Sequence, residues 1–446
     1  MTEPRRLLID LGELQYWNSH FTGIQRCLYE VGRRLVDDEH FEVVCYYFDP
    51  RVQEFFVSDG NVLTAVHTEG ELGTEVEGST GAVPTVQTVR SGSSIRIRLR
   101  QIISRARLVA YRTARSLGVA LLGRERAAGL NRARRLRHLA HAGARVLEFR
   151  PDDTVAIFGA FWDQKGMAEQ LRERSDAIGF RTALLVYDLI PLSFPEFADK
   201  GVSDGFRSSL LDLLPVVDIL LTISQATHSD VMRLYRAQDL SLPDVDEVIR
   251  IGDDFTHPSS PRRPDGFPDG EFILTVSTFE IRKNFIVLYQ AVKESILSGV
   301  EIPRIVIVGK DGWFTADLRR AIELDADIEG RLLHLNKIDD PGLAWLYEHA
   351  LFTVYPSAAE GWGLPIAEAL SYGKFCITSG ATSMPEIAGD LLEYVSPFDS
   401  GAWLRAIAKY ASDPALLAAR EERVAAEYRL TPWSQTADQV RRALLA

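Results

Sequence analysis

Short apolar runs alternate with helix-period stripes twice along this chain, and a proline- and glycine-rich break separates the two series. That alternation points to parallel sheets covered by helices. A strand buried on both faces reads as a continuous apolar run, and its crossover to a parallel neighbour needs a helix. In the first series strands are expected at residues 7–10, 41–48, 155–158, 183–186 and 219–223. A helix is expected over 23–35, where Ile24, Cys27, Leu28, Val31 and Leu35 share one stripe. The break at 257–270 contains Pro258, Pro261, Pro264, Gly266 and Pro268 and reads as a linker. The second series places strands at 272–276, 305–308, 332–335, 352–355 and 375–378, with helices over 284–297, 315–323, 341–349 and 365–372. The expected fold class is α/β: two doubly wound parallel-sheet domains facing across a cleft. Such sheets bind ligands beyond the carboxyl ends of their strands.

The length of 446 residues exceeds one ordinary core, and 46% apolar with 25% charged residues is a globular composition. No apolar run approaches the length of a membrane span, and no apolar leader core follows Arg5 and Arg6. Cys27, Cys45 and Cys376 show neither disulfide nor metal-ligand spacing, so the expected compartment is the reducing cytoplasm. A net charge of −12 argues against a protein that coats nucleic acid. The charge is uneven. Residues 91–147 hold fourteen arginines, no lysine and one acid (Glu125), a local +13, which leaves −12 − 13 = −25 for the remainder. Residues 68–90 read as a loop, and 95–117 and 124–142 as two basic helices. Together they make 60–150 an expected insert in the first domain.

The densest chemistry lies at 355–373. A strand ends at Tyr355, a loop carries Glu360, Gly361 and Gly363, and Pro365 takes the first turn of a helix that holds Glu368 and stops at Gly373. Glycines let backbone N–H groups approach a ligand, and a helix start favours an anion. Two carboxylates at that junction suit sugar and ribose hydroxyls. Residues 276–284 likewise end a strand and open a helix, with Ser277, Thr278, Arg282 and Lys283 at the junction.

The run Glu360-Gly361-Trp362-Gly363-Leu364-Pro365-Ile366-Ala367-Glu368 resembles the Glu-x7-Glu motif of retaining family 4 glycosyltransferases, where phenylalanine is commoner than Trp362. The resemblance implies that Glu360 meets donor-sugar hydroxyls and Glu368 the nucleotide ribose. The amides of Gly361, Trp362, Gly363 and Leu364 would meet sugar and phosphate. The run V-S-T-F-E-I-R-K-N at 276–284 is similar to the family's V-G-T-L-E-P-R-K-N. That places Lys283 and Arg282 on the donor diphosphate, with Ser277 or Thr278 as hydroxyl donors. Thr22-Gly23-Ile24-Gln25-Arg26 resembles a T-G-I-x-R run of polysaccharide-building members, in which Gly23 would approach the diphosphate from the opposite wall. Tyr187-Asp188-Leu189-Ile190-Pro191 resembles the family's (H/Y)-D-x-x-P loop and puts Asp188 beside the reacting centre. Base contacts are implied around 336–338, Ile338 included. Thr222-Ile223-Ser224 and Ile251-Gly252 also match, although strand ends with turns account for them. Pro432-Trp433 resembles the segment that crosses back to the first domain. The implied fold is GT-B, with Rossmann-like domains at 1–257 plus 432–446 and at 271–431, joined by 258–270.

Rupture of an anomeric bond leaves an oxocarbenium-like sugar and an anionic diphosphate. Lys283, Arg282 and two helix starts would stabilise that leaving group electrostatically. No metal or cofactor is then required for charge, and the Asp-x-Asp triplets at 244–246 and 325–327 read as solvated loops. No residue stands out as the carboxylate nucleophile of a double displacement. The resemblance implies front-face attack with retention, the leaving phosphate oxygen taking the acceptor proton. GDP-mannose suits the T-G-I-x-R resemblance best, ahead of dTDP-rhamnose and UDP-sugars. The rival readings are a sugar-phosphate-accepting synthase and an inactive nucleotide- or glycan-binding scaffold.

On the acceptor side, Asp10, Trp17, Phe21 and Trp162 are the candidates, with Tyr16 and His20 nearby. Aromatic faces stack on sugar rings, but packing of the domain's own surface accounts for the same residues. The expected acceptor is a glycan or lipid-linked glycan in surface polysaccharide or glycoconjugate synthesis. The basic insert has three readings: a hairpin packed on its own domain, a peripheral contact of 91–147 with an anionic membrane surface, or an oligomer or anionic-acceptor contact. Oligomeric state is left open.

Overall fold

The structure is a computed structural model that describes residues 4–14, 23–64, 132, 135–137, 139, 143–255 and 257–446. It contains two sheets. The first has the order β3-β2-β1-β4-β5-β6-β7, built from Arg5–Asp10 (β1), Phe41–Asp49 (β2), Glu54–Val57 (β3), Thr154–Ile157 (β4), Arg181–Val186 (β5), Ile219–Thr222 (β6) and Val245–Val248 (β7). Six strands are parallel, and β3 folds back antiparallel on β2. The second sheet, all parallel, has the order β10-β9-β8-β11-β12-β13. Its strands are Phe272–Val276 (β8), Arg304–Val308 (β9), Leu332–Leu335 (β10), Thr353–Tyr355 (β11), Cys376–Ser379 (β12) and Glu393–Val395 (β13).

Every residue of β4 and β6 is buried, which is why these strands read as unbroken apolar runs. Three strands left no such run. β7 carries Asp246 and Glu247 on an exposed edge of the first sheet, β13 has only three residues on an edge of the second, and β3 is a short hairpin return. The triplet at 244–246 therefore lies partly in an edge strand rather than wholly in a loop, and Asp246 faces His228 at 3.1 Å. The packed domain also resumes before residue 150. Val57 donates to the Arg145 carbonyl, Leu147 donates to that of Phe55, and Leu147 joins the buried core.

Helices Gly23–Val36 (α1), Met167–Ile178 (α2), Lys200–Leu213 (α3) and Gln225–Ala237 (α4) cover the first sheet. Phe285–Ser298 (α5), Ala316–Leu324 (α6), Asp340–His349 (α7), Leu364–Ser371 (α8), Ser400–Ser412 (α9) and Pro414–Glu427 (α10) belong with the second. The last helix, Trp433–Leu445 (α11), returns to the first domain and packs on α1. Its entry is fixed by Asp253 and Asp254, whose carboxylates accept from the Thr431 and Trp433 amides, and the Trp433 ring lies against Gly252. Ile251-Gly252 and Pro432-Trp433 are thus two halves of one joint. One apolar cluster runs from β1 and α1 through Tyr187 into Trp362, Ile366, Met384 and Ile387, so the core is continuous across the junction. Among the described residues no helix is long and apolar enough to cross a membrane.

Candidate active site

Strand order reverses between β8 and β11 in the second sheet, and the loops that leave these two strands converge in space. Beyond β8 the chain makes a 3-10 turn, Ile281–Lys283, before α5 begins at Phe285. Beyond β11 it reaches Glu360 and then α8. In sheets of this kind ligands bind in the crevice beyond the carboxyl ends of the strands at such a reversal.

Glu360 is the hub. Its carboxylate accepts from Lys283 Nζ at 2.6 Å, Arg282 Nη1 at 2.7 Å and the Tyr355 hydroxyl at 3.0 Å, and Ser357 Oγ lies 2.6 Å from it. Lys283 Nζ also donates to the Tyr355 hydroxyl at 2.8 Å, and Arg282 Nη2 to Glu280 at 2.8 Å. Lys283 and Glu360 are both buried. Burial alone would raise the Glu360 carboxyl, but the guanidinium of Arg282 and the ammonium of Lys283 outweigh it and hold the group at about 2. Burial and the adjacent Arg282 push the Lys283 ammonium below its ordinary range, with Glu360 opposing. Two cations thus share one carboxylate at a loop-to-helix junction.

The Glu360 loop is fixed from behind. Thr382 Oγ1 lies 2.9 Å from the Glu360 amide and 2.8 Å from its carbonyl, and Ser383 Oγ donates to the carbonyls of Glu360 and Trp362. A Cβ on Gly361 would stand 2.4 Å from the Tyr187 carbonyl, so only glycine lets this loop meet the first domain there. Gly363 has φ +121° and starts α8. The Trp362 ring is buried at the domain junction beneath the Arg250 guanidinium, 4.8 Å from its centroid, and Leu364 packs against the same apolar cluster.

Glu368, half-buried on α8, accepts from the Tyr347 hydroxyl at 2.9 Å. Burial raises its carboxyl, and Tyr347 and the Arg26 charge pull it back. Ser277 and Thr278 lie on the loop after β8, half-buried and exposed, and Ser277 N donates to the Val308 carbonyl at 2.9 Å. Ile338 packs at the start of α7 against Gly342.

The opposite wall belongs to the first domain. Asp188 accepts from the Ile190 amide at 2.9 Å. Burial raises its carboxyl, while the charges of Arg282 and Lys283 lower it and that of Glu360 raises it further, so these four groups share one neighbourhood. The Tyr187 hydroxyl donates to the Phe158 carbonyl at 2.7 Å, an internal tie rather than a free group. Gly23 begins α1, and among the described residues nothing lies within 4 Å of where its Cβ would stand. Asp10 ends β1 at this sheet's own reversal point, fully buried, accepting from the Gly12 amide at 2.9 Å and from Gln164. Burial pushes its carboxyl up to about 6. Trp162 lies edge-on to Phe161 and against Phe206, so its ring packs on its own domain. Trp17 and Phe21 lie outside the described residues, as does nearly all of 91–147. Arg135 is described and pairs with Asp49 at the end of β2, 2.7 Å away.

Sequence reading missed Tyr355, Ser357 and Tyr347, whose hydroxyls hold the two glutamates. Tyr355 and Ser357 adjoin the motif, whereas Tyr347 lies 21 residues before Glu368 with no local signal. The triplet at 325–327 caps a short turn and pairs with Lys293.

A family model described as "Glycosyl transferases group 1" matches residues 259–428, the stretch that carries Lys283, Glu360 and Glu368. Residues 259–428 are a group 1 glycosyltransferase domain. The chain is 28% identical over 231 residues to O-antigen chain mannosyltransferase B of Escherichia coli, covering 50% of this chain and 59% of that protein. It is 25% identical over 304 residues to the serotype-specific mannosyltransferase WbdA of the same organism, covering 66% of this chain and 36% of that one. The chain therefore spans only about a third to three fifths of these relatives' lengths. Two solved structures align over 99% of both chains with a TM-score of 0.55. They are Anabaena HepE in complex with UDP and glucose (13% identical) and sucrose-phosphate synthase from Thermosynechococcus elongatus (18% identical). The glycosyltransferase domain and its partner sheet thus form the two-domain GT-B fold expected from the sequence.

Proposed function

We propose that this protein is a retaining hexosyltransferase that moves a sugar, mannose by preference, from a nucleoside diphosphate to a glycan or lipid-linked glycan during surface polysaccharide or glycoconjugate synthesis. The observation that carries the reading is the convergence of Lys283, Arg282 and Glu360 at the strand reversal of the group 1 domain, with Asp188 facing them. The named activity of the two Escherichia coli relatives supports mannose, and a mannosyl donor implies GDP-mannose ahead of dTDP-rhamnose or UDP-sugars.

In this reading the diphosphate draws Lys283, with Arg282 in support, and Glu368 accepts from the ribose hydroxyls. Glu360, released in part from its cations, accepts from the donor sugar. As the anomeric bond breaks, the negative charge that grows on the phosphate oxygen lies at fixed positive groups. Preorganised interactions of this kind contribute several kcal/mol to lowering a barrier, on the order of 3 kcal/mol for one well-placed donor. The acceptor hydroxyl attacks from the same face and passes its proton to the departing phosphate oxygen, so no protein nucleophile and no metal are required. Asp188 lines the acceptor side of the reacting centre. We place the enzyme on the cytoplasmic side of the membrane, where nucleotide sugars are made, with 91–147 as the segment that would meet an anionic surface.

Calorimetric titration with GDP, UDP, dTDP and their sugars tests the donor assignment. GDP-mannose should bind, and Glu368→Ala should weaken binding at least about tenfold through loss of the ribose contacts. Equal binding by wild type and Glu368→Ala would refute the site.

A further inference from the structure

The first turn of α4 is capped by a residue of the other domain. A helix leaves its first amides without partners inside the helix. In α4 the Thr227 amide is met locally by Ser224 Oγ at 3.1 Å. The two amides before it point across the junction, where Gln225 N donates to one Glu386 oxygen at 2.7 Å and Ala226 N to the other at 2.8 Å. Glu386 sits in the one-turn helix Pro385–Ala388 of the second domain. A carboxylate that takes both free amides of a helix start gains from charge-assisted hydrogen bonds and from the helix dipole together.

The same one-turn helix is held a second time. Arg250 of the first domain donates to the Glu386 carbonyl at 3.2 Å and to the Ile387 carbonyl at 3.1 Å, while its guanidinium covers the Trp362 ring. Arg250 is itself anchored on Thr431 at 2.9 Å, in the segment that leads into α11. Immediately before the one-turn helix stand Thr382 and Ser383, the residues that grip the backbone of Glu360 and Trp362. A continuous set of contacts therefore runs from the amide end of α4, through Glu386 and its turn, to the backbone of the site carboxylate.

We infer that Glu386 is a positioning residue that fastens the first domain to the Thr382–Ser383 turn and thereby sets the Glu360 loop against Lys283 and Asp188. The inference rests on the transfer reading only for its kinetic readout. Domain approach and site assembly are then one event, because the group that closes the junction also braces the loop. Glu386 touches no substrate in this arrangement. Arg250 is the second fastening point and Trp362 the surface it holds.

The test uses the full chain. Glu386→Ala removes both acceptors. Gln225→Pro deletes one of the two donating amides at the first position of α4, where proline is tolerated because that amide has no partner within the helix. Mannosyl transfer from GDP-mannose is measured for each variant and for the double variant, together with melting temperature. Interdomain distance is read in parallel from spin labels at Leu242→Cys and Leu297→Cys, both exposed positions on different domains, in a chain whose three native thiols are buried. The expected result is a fall in kcat of about tenfold for Glu386→Ala, the scale of a small misplacement of reacting groups, with little change in KM or melting temperature. Gln225→Pro should lose less, the double variant no more than Glu386→Ala alone, and the interdomain distance should lengthen or broaden in all three. Unchanged kcat, additive losses, or an unchanged distance distribution would overturn the inference. A wild-type protein that transfers nothing from any nucleotide sugar would instead refute the functional reading. The distance measurement would then still decide whether Glu386 fastens the domains.

Discussion

Lys283 Nζ lies 2.6 Å from the buried carboxylate of Glu360, and Arg282 holds the other oxygen of the same group. Both cations stand on a turn that leaves β8, and the carboxylate on the loop that leaves β11, so the sheet's reversal point is what brings them together. Removing one partner of a buried pair costs more than the pair contributes, because a desolvated charge is left behind. Sharing between two cations softens that penalty.

Lys283→Met should therefore fold, with Arg282 still paired to Glu360, yet lose transfer by about 100-fold or more as leaving-group stabilisation is removed. Steady-state transfer beside a circular-dichroism melt separates the two effects. Glu360 also sets an acid limit on stability. With its folded value held at about 2 against an ordinary 4.5, it contributes stability that is present above pH 4.5 and lost as pH falls toward 2. That loss should be shallower in Lys283→Met, since one of the groups depressing the carboxyl is gone.

Tyr347→Phe deletes the hydroxyl that meets Glu368 at 2.9 Å and leaves the rest of α7 in place. The Glu368 carboxyl, already raised by burial, should rise further. Donor KM should increase about five- to tenfold, the scale of one hydrogen bond to a charged group, while kcat changes little. A fall in kcat with unchanged KM would place Glu368 elsewhere in the reaction.

Asp10 gives a signature of opposite sign. Its folded carboxyl is pushed up to about 6 from an ordinary 3.8, so the folded chain holds the proton more tightly than the unfolded one. Stability from this group is full below about pH 4 and falls as pH rises through 6, by about 3 kcal/mol in all. Asp10→Asn should flatten that slope and melt no lower than wild type at pH 7.5. Thermal melts at half-unit pH steps read both outcomes.

Gly361→Ala sets a Cβ 2.4 Å from the Tyr187 carbonyl, a contact that backbone must move to relieve. The loop and the first domain should separate locally, with a loss of about 1–3 kcal/mol and a larger loss of transfer than of donor binding. Calorimetry and kinetics on the same preparation check the order of the two effects.

The strands buried on both faces and the helices α1, α5, α6, α7 and α8 were legible, because burial writes a period into sequence, whereas α2, α3, α4, α9 and α10 were not read. The edge strands β7 and β13 were not. An exposed edge carries charge and little apolar length, as Asp246 and Glu247 illustrate. In the site, Glu360, Glu368 and Lys283 were legible through the run of residues around them. Tyr355, Ser357 and Tyr347 were not, since a hydroxyl's role is set by which neighbour the fold brings to it. Trp162 could be read as a sugar platform or as packing, and the structure places its ring against Phe161 and Phe206. The cap that Glu386 places on α4 spans 161 and 160 residues of sequence, a separation no local pattern encodes.

The proposed reaction is transfer with retention from a nucleotide sugar. It is tested by incubation of the full chain with GDP-α-mannose and a mannosyl glycan acceptor, followed by NMR measurement of the one-bond carbon–proton coupling at the new anomeric centre. An α-linked product with stoichiometric release of GDP is expected, and its loss in Glu368→Ala. A β-linked product would contradict retention, and absence of product with every nucleotide sugar tested would contradict the transfer itself.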